Sequence, residues 1–239
     1  MSDTVVFIPA WNEEANLPAV LGELRDALPW VDVLVIDDGS TDRTAEVARA
    51  NGADVVSFGE NLGLKVGIAA GYRTALDRGY AYCGRVDADG QHPVSELVRL
   101  LDLVRVDACD VAIGSRFAAA EGYAEDRYAP SAARRFGIGL LQKAMHVRLG
   151  RPFKDPTSGM AAVNAAAMPY MAEPYTSGAP EVEALLRLNR AGMRVEEVAV
   201  EMRPRASGES RLRGAKAWKL VLTVIGTLIF FGWLRRRHR

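Results

Sequence analysis

The feature that most restricts what this chain can fold into is an alternation. A short, almost uninterrupted apolar run is followed by a polar turn and then by a segment of helical character. Thr4 to Ile8 is apolar and β-branched, Val31 to Ile36 repeats that composition, Asp54 to Phe58 is a shorter version, and Ala81 to Val86 is the next. Helices are expected between them, over Glu13 to Leu28, through Ala50, and on to about Arg78. Strands this apolar need cover on both faces, which a mainly parallel sheet with flanking helices provides. In such a sheet, ligands bind beyond the carboxyl ends of the strands. The polar clusters Pro9 to Glu13, Asp37 to Asp42 and Asp87 to Gln91 all follow predicted strands, so a shared crevice is expected there. Taken singly, each is also compatible with turn and cap chemistry. Pro9 stops the first strand and Asn12 caps the first helix. Ser40 or Thr41 caps the second, with Asp42 at its positive end.

The second half continues less regularly. Helix is predicted over Val94 to Val104, Ser131 to Leu149 and Pro180 to Ala191, the last carrying Glu181 and Glu183. Strand is predicted over Asp110 to Ile113, Ala161 to Val163 and Arg194 to Met202. Gly114-Ser115-Arg116 opens a basic, Gly/Ala-rich loop through Arg127 and Ser131, and Asp155 to Met160 is a turn. One α/β domain over residues 1–211 accounts for this pattern, with a different tail over 212–239. From Leu220 to Leu234 the tail has no charge, yet Arg211, Arg213, Lys216 and Lys219 precede it and Arg235, Arg236, Arg237 and Arg239 follow. The run is shorter than the roughly 20 residues of a spanning helix. Its basic flanks and the tryptophans Trp218 and Trp233 suit an apolar helix lying in a membrane interface. A short span, or a helix packed on a partner, is the alternative.

Composition excludes some functions. Among 239 residues, 30 basic side chains balance 30 acidic ones, so no global field favours nucleic acid. Cys83 and Cys109 lack metal-type spacing and suit a reducing compartment. His92, His146 and His238 are scattered, which argues against zinc. No signal peptide precedes the first strand, so the domain is expected to face the cytoplasm.

The chemistry concentrates in Arg85-Val86-Asp87-Ala88-Asp89-Gly90-Gln91-His92-Pro93. If the strand's extended geometry persists, Asp87 and Asp89 point the same way. Their mutual repulsion is relieved by a divalent cation, and oxygen ligands suit Mg²⁺ or Mn²⁺, with Gln91 as a neutral third ligand. Gly90 permits the turn and Pro93 opens the next helix. The competing reading is a pair of solvated turn carboxylates.

Several motifs together resemble the family 2 glycosyltransferases of the GT-A fold, and within them the polyprenyl-phosphate (dolichol-phosphate) mannose synthase group. The resemblance rests on Ile8-Pro9-Ala10-Trp11-Asn12-Glu13-Glu14, Val35 to Asp42, Asn61-Leu62-Gly63, Asp87 to Pro93, Gly114-Ser115-Arg116, Asp155 to Gly159, and Arg205-x-x-Gly208-x-Ser210-Arg211. It implies a Rossmann-like GT-A sheet and a sugar-nucleotide site. Pro9, Trp11, Glu13 and Asp38 would line the base and ribose pocket, together with Asp87, Ala88 and Ser210 on the donor. Asp87, Asp89 and Gln91 would hold Mg²⁺ or Mn²⁺ on the diphosphate. Arg116, Arg127 and Ser131 would bind an acceptor phosphate, and Arg205 and Ser210 would lie on a loop closing over the donor. Asp89, Arg116 and Arg205 would carry catalysis. The chain departs from the group at Arg211, where lysine is usual, and in the Ala-rich loop from Ala118 to Pro130. It lacks the Gln-x-x-Arg-Trp element of processive polysaccharide synthases.

The reaction so implied is transfer of a hexose, from GDP-mannose or UDP-glucose, to a polyprenyl phosphate at the cytoplasmic face of a membrane. An ionised phosphate acceptor needs no general base. A glycan hydroxyl acceptor, as in cell-surface polysaccharide synthesis, would need a carboxylate such as Glu183 or Asp155. The plainer alternatives pair Arg116 with Asp110 or Glu121, leave Arg127 solvated, make Asp155 a turn residue before Pro156, and let Lys65 decorate its helix. A binding protein without catalysis, or a nucleotidyltransferase, would share the layout. The latter would want a Gly-rich basic loop where Pro9-Ala10-Trp11-Asn12 stands.

Overall fold

A computed structural model describes residues 2–118 and 132–203. Seven strands form one sheet: β1 (Thr4–Ala10), β2 (Asp32–Asp37), β3 (Asp54–Ser57), β4 (Tyr82–Arg85), β5 (Val111–Ser115), β6 (Ala161–Asn164) and β7 (Val195–Ala199). Their order is β3-β2-β1-β4-β6-β5-β7, and β6 alone runs antiparallel to its neighbours. The helices are α1 (Leu17–Ala27), α2 (Thr44–Ala50), α3 (Leu64–Asp77), α4 (Val94–Arg105), α5 (Ala132–Leu149), α6 (Met168–Ala172) and α7 (Pro180–Arg190). The mostly parallel α/β sheet predicted from the apolar runs is therefore present.

Strand periodicity explains the layering. Successive side chains of β1 point to opposite faces, and every residue of this strand is buried. Val5 and Phe7 join a core with Ile68, Tyr72 and Ala75 of α3 and with residues of α6 and α7. Val6, Ile8 and Ala10 join the other core, with Leu17, Val20, Leu21 and Leu24 of α1 and Leu97, Leu100 and Leu101 of α4. The α3 contact is tight. A Cβ built on Gly71 would meet the Phe7 ring at 2.2 Å, and that ring stacks edge-on with Tyr72 at 4.8 Å between centroids. Gly71→Ala is thus an overpacking substitution, expected to cost about 1–3 kcal/mol. Urea unfolding checks it: an unchanged midpoint would contradict this packing.

Several local expectations change. Pro9 does not stop β1, which continues to Ala10 by pairing Pro9 with Ile36. Pairing with β4 ends at Phe7, so Pro9 lies where the strand has a neighbour on one side only, a place that tolerates a residue without an N–H. Asn12 caps nothing; α1 begins at Leu17, after a turn in which the Glu13 carbonyl accepts from the Asn16 and Leu17 amides. At α2, Asp42 Oδ1 accepts from the Thr44 amide at 2.9 Å, while Ser40 and Thr41 are engaged elsewhere. Helix α6 was not anticipated: five residues are too few to display a helical period, although Met168, Met171 and Ala172 are buried. Among the described residues no helix is long and apolar enough to cross a membrane, and the predicted tail helix over 212–239 lies outside them.

Candidate active site

The strand ends meet as predicted, and specific side chains tie their loops together. The Asn12 amide donates to Ser40 Oγ at 2.9 Å, and Asn12 Oδ1 accepts from the Thr41 amide at 2.8 Å. Asn12 has φ of +55°, a left-handed conformation that asparagine tolerates better than most residues. The Glu13 amide donates to Thr44 Oγ1 at 2.9 Å, and the Glu14 amide to Asp42. The loops after β1 and β2 are thus fastened side by side.

Asp38 joins a third loop. It is buried, and its carboxylate accepts from the Leu62 amide at 2.7 Å and the Gly63 amide at 2.9 Å. Next to it, Gly39 has φ of +66°, and a Cβ there would lie 2.2 Å from the Glu60 backbone. Only glycine permits that approach. Pro9 is buried, Glu13 is half-buried, and Trp11 is exposed. Of the predicted base and ribose residues, Pro9 therefore lies near the end of β1, and Trp11, Glu13 and Asp38 fall on the neighbouring, mutually fastened loops.

Strand β4 ends at Arg85, before the acidic pair. Ala88 and Asp89 lie in a turn and Gly90 has φ of +70°, so strand alternation does not set the direction of the two carboxylates. Local hydrogen bonds do. Asp89 Oδ1 accepts from the Gln91 amide at 3.1 Å. Asp87 Oδ1 accepts from Arg85 at 3.2 Å, and a Cβ on Gly159 would come within 2.4 Å of Asp87 Oδ2. The Thr-Ser-Gly turn therefore lies directly against the acidic loop, and glycine is what lets it do so. Gln91 is clamped to the end of the sheet: its side-chain amide donates to the Arg203 carbonyl, and its own carbonyl accepts from the Arg203 amide at 2.9 Å.

This donor set offers oxygen ligands, anionic from Asp87 and Asp89 and neutral from Gln91, which fits a hard divalent cation. No group of three or more His, Cys, Asp or Glu gathers to form a complete cage among the described residues. Asp87, Asp89 and Gln91 are suited instead to a shared site in which phosphate oxygens supply further ligands.

His92 supports the acidic loop from below. It is buried, and its Nδ1 accepts from the Asp87 amide at 3.4 Å. Burial holds its pKa below the ordinary histidine value, against the opposing pull of Asp87 and Asp89, so the ring is neutral. A depressed folded-state pKa means that the unfolded chain takes up the proton first. The stability His92 contributes is complete above about pH 6.5 and is lost as pH falls below it. The urea midpoint is expected to drop between pH 7.5 and pH 5.5, and less so in His92→Asn; equal slopes would refute this role.

Arg116 does not pair with Asp110, which is held by Arg194. Its Nε and Nη2 each donate to Asp155 at 2.6 Å, and its amide donates to the same carboxylate at 3.0 Å. Nη2 also reaches Thr157 Oγ1. Asp155 is 1% exposed, so it is more than a turn residue: it anchors the Gly-Ser-Arg strand end to the Thr-Ser-Gly turn.

Glu183, whose role the sequence left open, is fully buried. Its carboxylate accepts from the Thr176 and Ser177 amides and from the Thr176 hydroxyl, and it pairs with Arg187. Burial pushes its pKa up, but these hydrogen bonds and Arg187 outweigh it and hold the group below the ordinary range. Both carboxylates that the sequence offered as general bases are thus committed to structural contacts.

Sequence reading missed Arg85. This side chain is 4% exposed and pairs with both Asp87 and Glu181. The available signal was an arginine inside an apolar strand, which burial makes tenable only with anionic partners. Arg127, Ser131, Arg205 and Ser210 lie outside the described residues.

Comparison with known proteins agrees with this geometry. The profile described as glycosyl transferase family 2 matches residues 5–168. The undecaprenyl-phosphate mannosyltransferase of Micrococcus luteus is 34% identical over 228 residues, covering 92% of this chain and 91% of that protein. The polyprenol monophosphomannose synthase of Mycolicibacterium smegmatis is 43% identical over 120 residues, covering 48% of this chain and 45% of that one. In fold, the chain is similar to glucosyl-3-phosphoglycerate synthase of Mycobacterium tuberculosis solved with UDP, with a TM-score of 0.67 at 22% identity over 94% of this chain and 79% of that one. Loops fastened at the carboxyl edge of a GT-A sheet, with Asp87 of the acidic pair against a Thr-Ser-Gly turn, thus coincide with a family match over most of the domain, and the chain belongs to glycosyltransferase family 2.

Proposed function

We propose that this glycosyltransferase moves a hexose, mannose or glucose, from GDP-mannose or UDP-glucose onto a polyprenyl phosphate. The observation that carries this reading is the commitment of Asp155 and Glu183 to buried ion pairs and backbone amides. A hydroxyl acceptor needs a base to take its proton; a phosphate is already ionised near neutral pH and attacks directly. The bond from the anomeric carbon to the donor phosphate breaks as a bond to the acceptor oxygen forms, with inversion, and nucleoside diphosphate leaves. Asp87, Asp89 and Gln91 would hold Mg²⁺ or Mn²⁺, which offsets the charge growing on that diphosphate. Pro9, Trp11, Glu13, Asp38 and Ala88 would cradle the nucleotide, with Ser210 and Arg205 closing over it. Arg116, Arg127 and Ser131 would receive the acceptor phosphate, and residues 212–239 would lie on the cytoplasmic membrane surface. The two mannosyltransferase relatives, named for undecaprenyl-phosphate and polyprenol acceptors, support the acceptor class.

The test uses the full chain in mild detergent with Mn²⁺, radiolabelled GDP-mannose or UDP-glucose, and a polyprenyl phosphate. Metal-dependent label in the organic phase supports the reading and names the donor. Transfer to a soluble glycan, with none to lipid, would overturn the acceptor assignment.

A further inference from the structure

We infer that the cavity between α3, β4 and α7 is a binding site for one buried water, which accepts from Arg85 Nε, bonds the Tyr72 hydroxyl and so ties α3 to the end of β4. The site lies inside the domain, and the inference stands apart from the donor and acceptor proposed above.

Two interior polar groups point to it. Tyr72 is 0% exposed and Arg85 is 4% exposed. Neither the Tyr72 hydroxyl nor Arg85 Nε has a hydrogen-bond partner among the described residues. A buried polar group without a partner forfeits the hydrogen bonds that water gave it in the unfolded chain, so native interiors seldom leave one unmade. The two terminal nitrogens of Arg85 each have a carboxylate: Nη2 is 3.2 Å from Asp87 and Nη1 is 3.2 Å from Glu181. Its Nε edge is the side that lacks one. The Tyr72 ring packs edge-on against Phe7, 4.8 Å between centroids, which holds its hydroxyl inside. The two groups also share one space: both residues line the same cavity, with Ile68, Ile113, Ser158 and Glu181.

Size and chemistry select the occupant. The cavity offers about 20 Å³ to the centre of a water molecule, and one water needs roughly 10–15 Å³. A sugar, a phosphate or an isoprene unit is too large. Arg85 Nε can only donate, so the occupant must accept. Burial pushes the pKa of the Tyr72 phenol well above its ordinary value, so the group is a neutral hydroxyl that can donate or accept. An anion would accept from Arg85 but would meet the Glu181 carboxylate, and a cation would meet the guanidinium. Water accepts from Arg85 Nε, bonds Tyr72 and keeps a proton for a third partner, with Glu181 and Ser158 as acceptors on the same wall. About three such bonds are usual for a buried water. Arg85 is then held on three edges, by the acidic loop, by α7 and, through the water, by α3.

A high-resolution crystal structure of the full chain in mild detergent reads the site directly. One ordered water is expected within roughly 2.7–3.2 Å of both Arg85 Nε and Tyr72 Oη. Tyr72→Phe tests the same point in solution through the sign of its effect, because it keeps the ring against Phe7 and deletes the hydroxyl alone. If that hydroxyl bonds a water, its loss leaves the water and Arg85 short of a partner, and the melting temperature falls by about 2–4 °C. If it bonds nothing, its loss relieves a buried polar group, and the melting temperature holds or rises. A held or raised melting temperature, a cavity without water density, an occupant other than water, or a direct contact between Tyr72 and Arg85 overturns the inference. Should the variant fail to fold, the crystal structure decides. None of these outcomes bears on hexose transfer, whose own test is the labelled-donor assay.

Discussion

Asp89→Ala is expected to abolish hexose transfer, lowering turnover by roughly a thousandfold, while leaving the fold nearly intact. The two halves of that expectation have separate grounds. Asp89 sits in the turn after β4, and one contact that shapes the turn is acceptance of the Gln91 amide at 3.1 Å. Losing one such partly exposed hydrogen bond costs about 1 kcal/mol. The loop keeps its other supports: the Arg203 clamp on Gln91, the His92 contact to the Asp87 amide, and Gly159 against Asp87. In the proposed reaction, however, Asp89 would help hold the metal beside the leaving diphosphate, and Asp87, the other carboxylate of the pair, is also paired with Arg85. Transfer assays and thermal melts on one preparation check both halves. Measurable Mn²⁺-dependent transfer above a few per cent of native would refute Asp89 as a metal-holding residue. A collapse in melting temperature would instead show that the turn bond dominates.

The second large effect concerns stability. Asp155→Ala should destabilise the domain by about 3–5 kcal/mol, because breaking a buried pair leaves its partner charge uncompensated. Arg116 is only 18% exposed and would lose two side-chain contacts together with the acceptor for its own amide. At this chain length the drop in melting temperature is about 10 °C. Replacing both residues, Arg116→Met with Asp155→Leu, should recover much of the loss, since a well-packed apolar pair removes the stranded charge. A single variant that melts like the native protein would mean that Arg116 finds another anion, and the anchoring role would fall. The same pair bears on catalysis. Arg116 is proposed to meet the acceptor phosphate, and Asp155 would then set its orientation while reducing its net charge.

Much of the site was legible because its parts are local in sequence. The acidic pair, Gln91, Gly90 and Pro93 sit in one loop, and Asp37 to Asp42 in another, each immediately after an apolar run that could only be a strand. What was misread depended on partners far along the chain. Asn12 looked like a helix cap because asparagine before a helical segment usually is one; its actual partners, Ser40 and Thr41, lie on the next loop. Glu183 and Asp155 looked like available carboxylates, since nothing adjacent to them announces Thr176, Ser177, Arg187 or Arg116 as partners.

The sequence by itself determined the layer architecture, the edge of the sheet at which the polar loops collect, and the family. Apolar runs of strand length demand cover on both faces, and parallel connections put the loops at one edge. Tertiary structure alone decided which charges are neutralised. An ion pair depends on a few ångströms of distance between side chains that the chain separates by tens of residues. That is how Arg85 came to lie between Asp87 and Glu181, and how the two carboxylates offered as bases were withdrawn from chemistry.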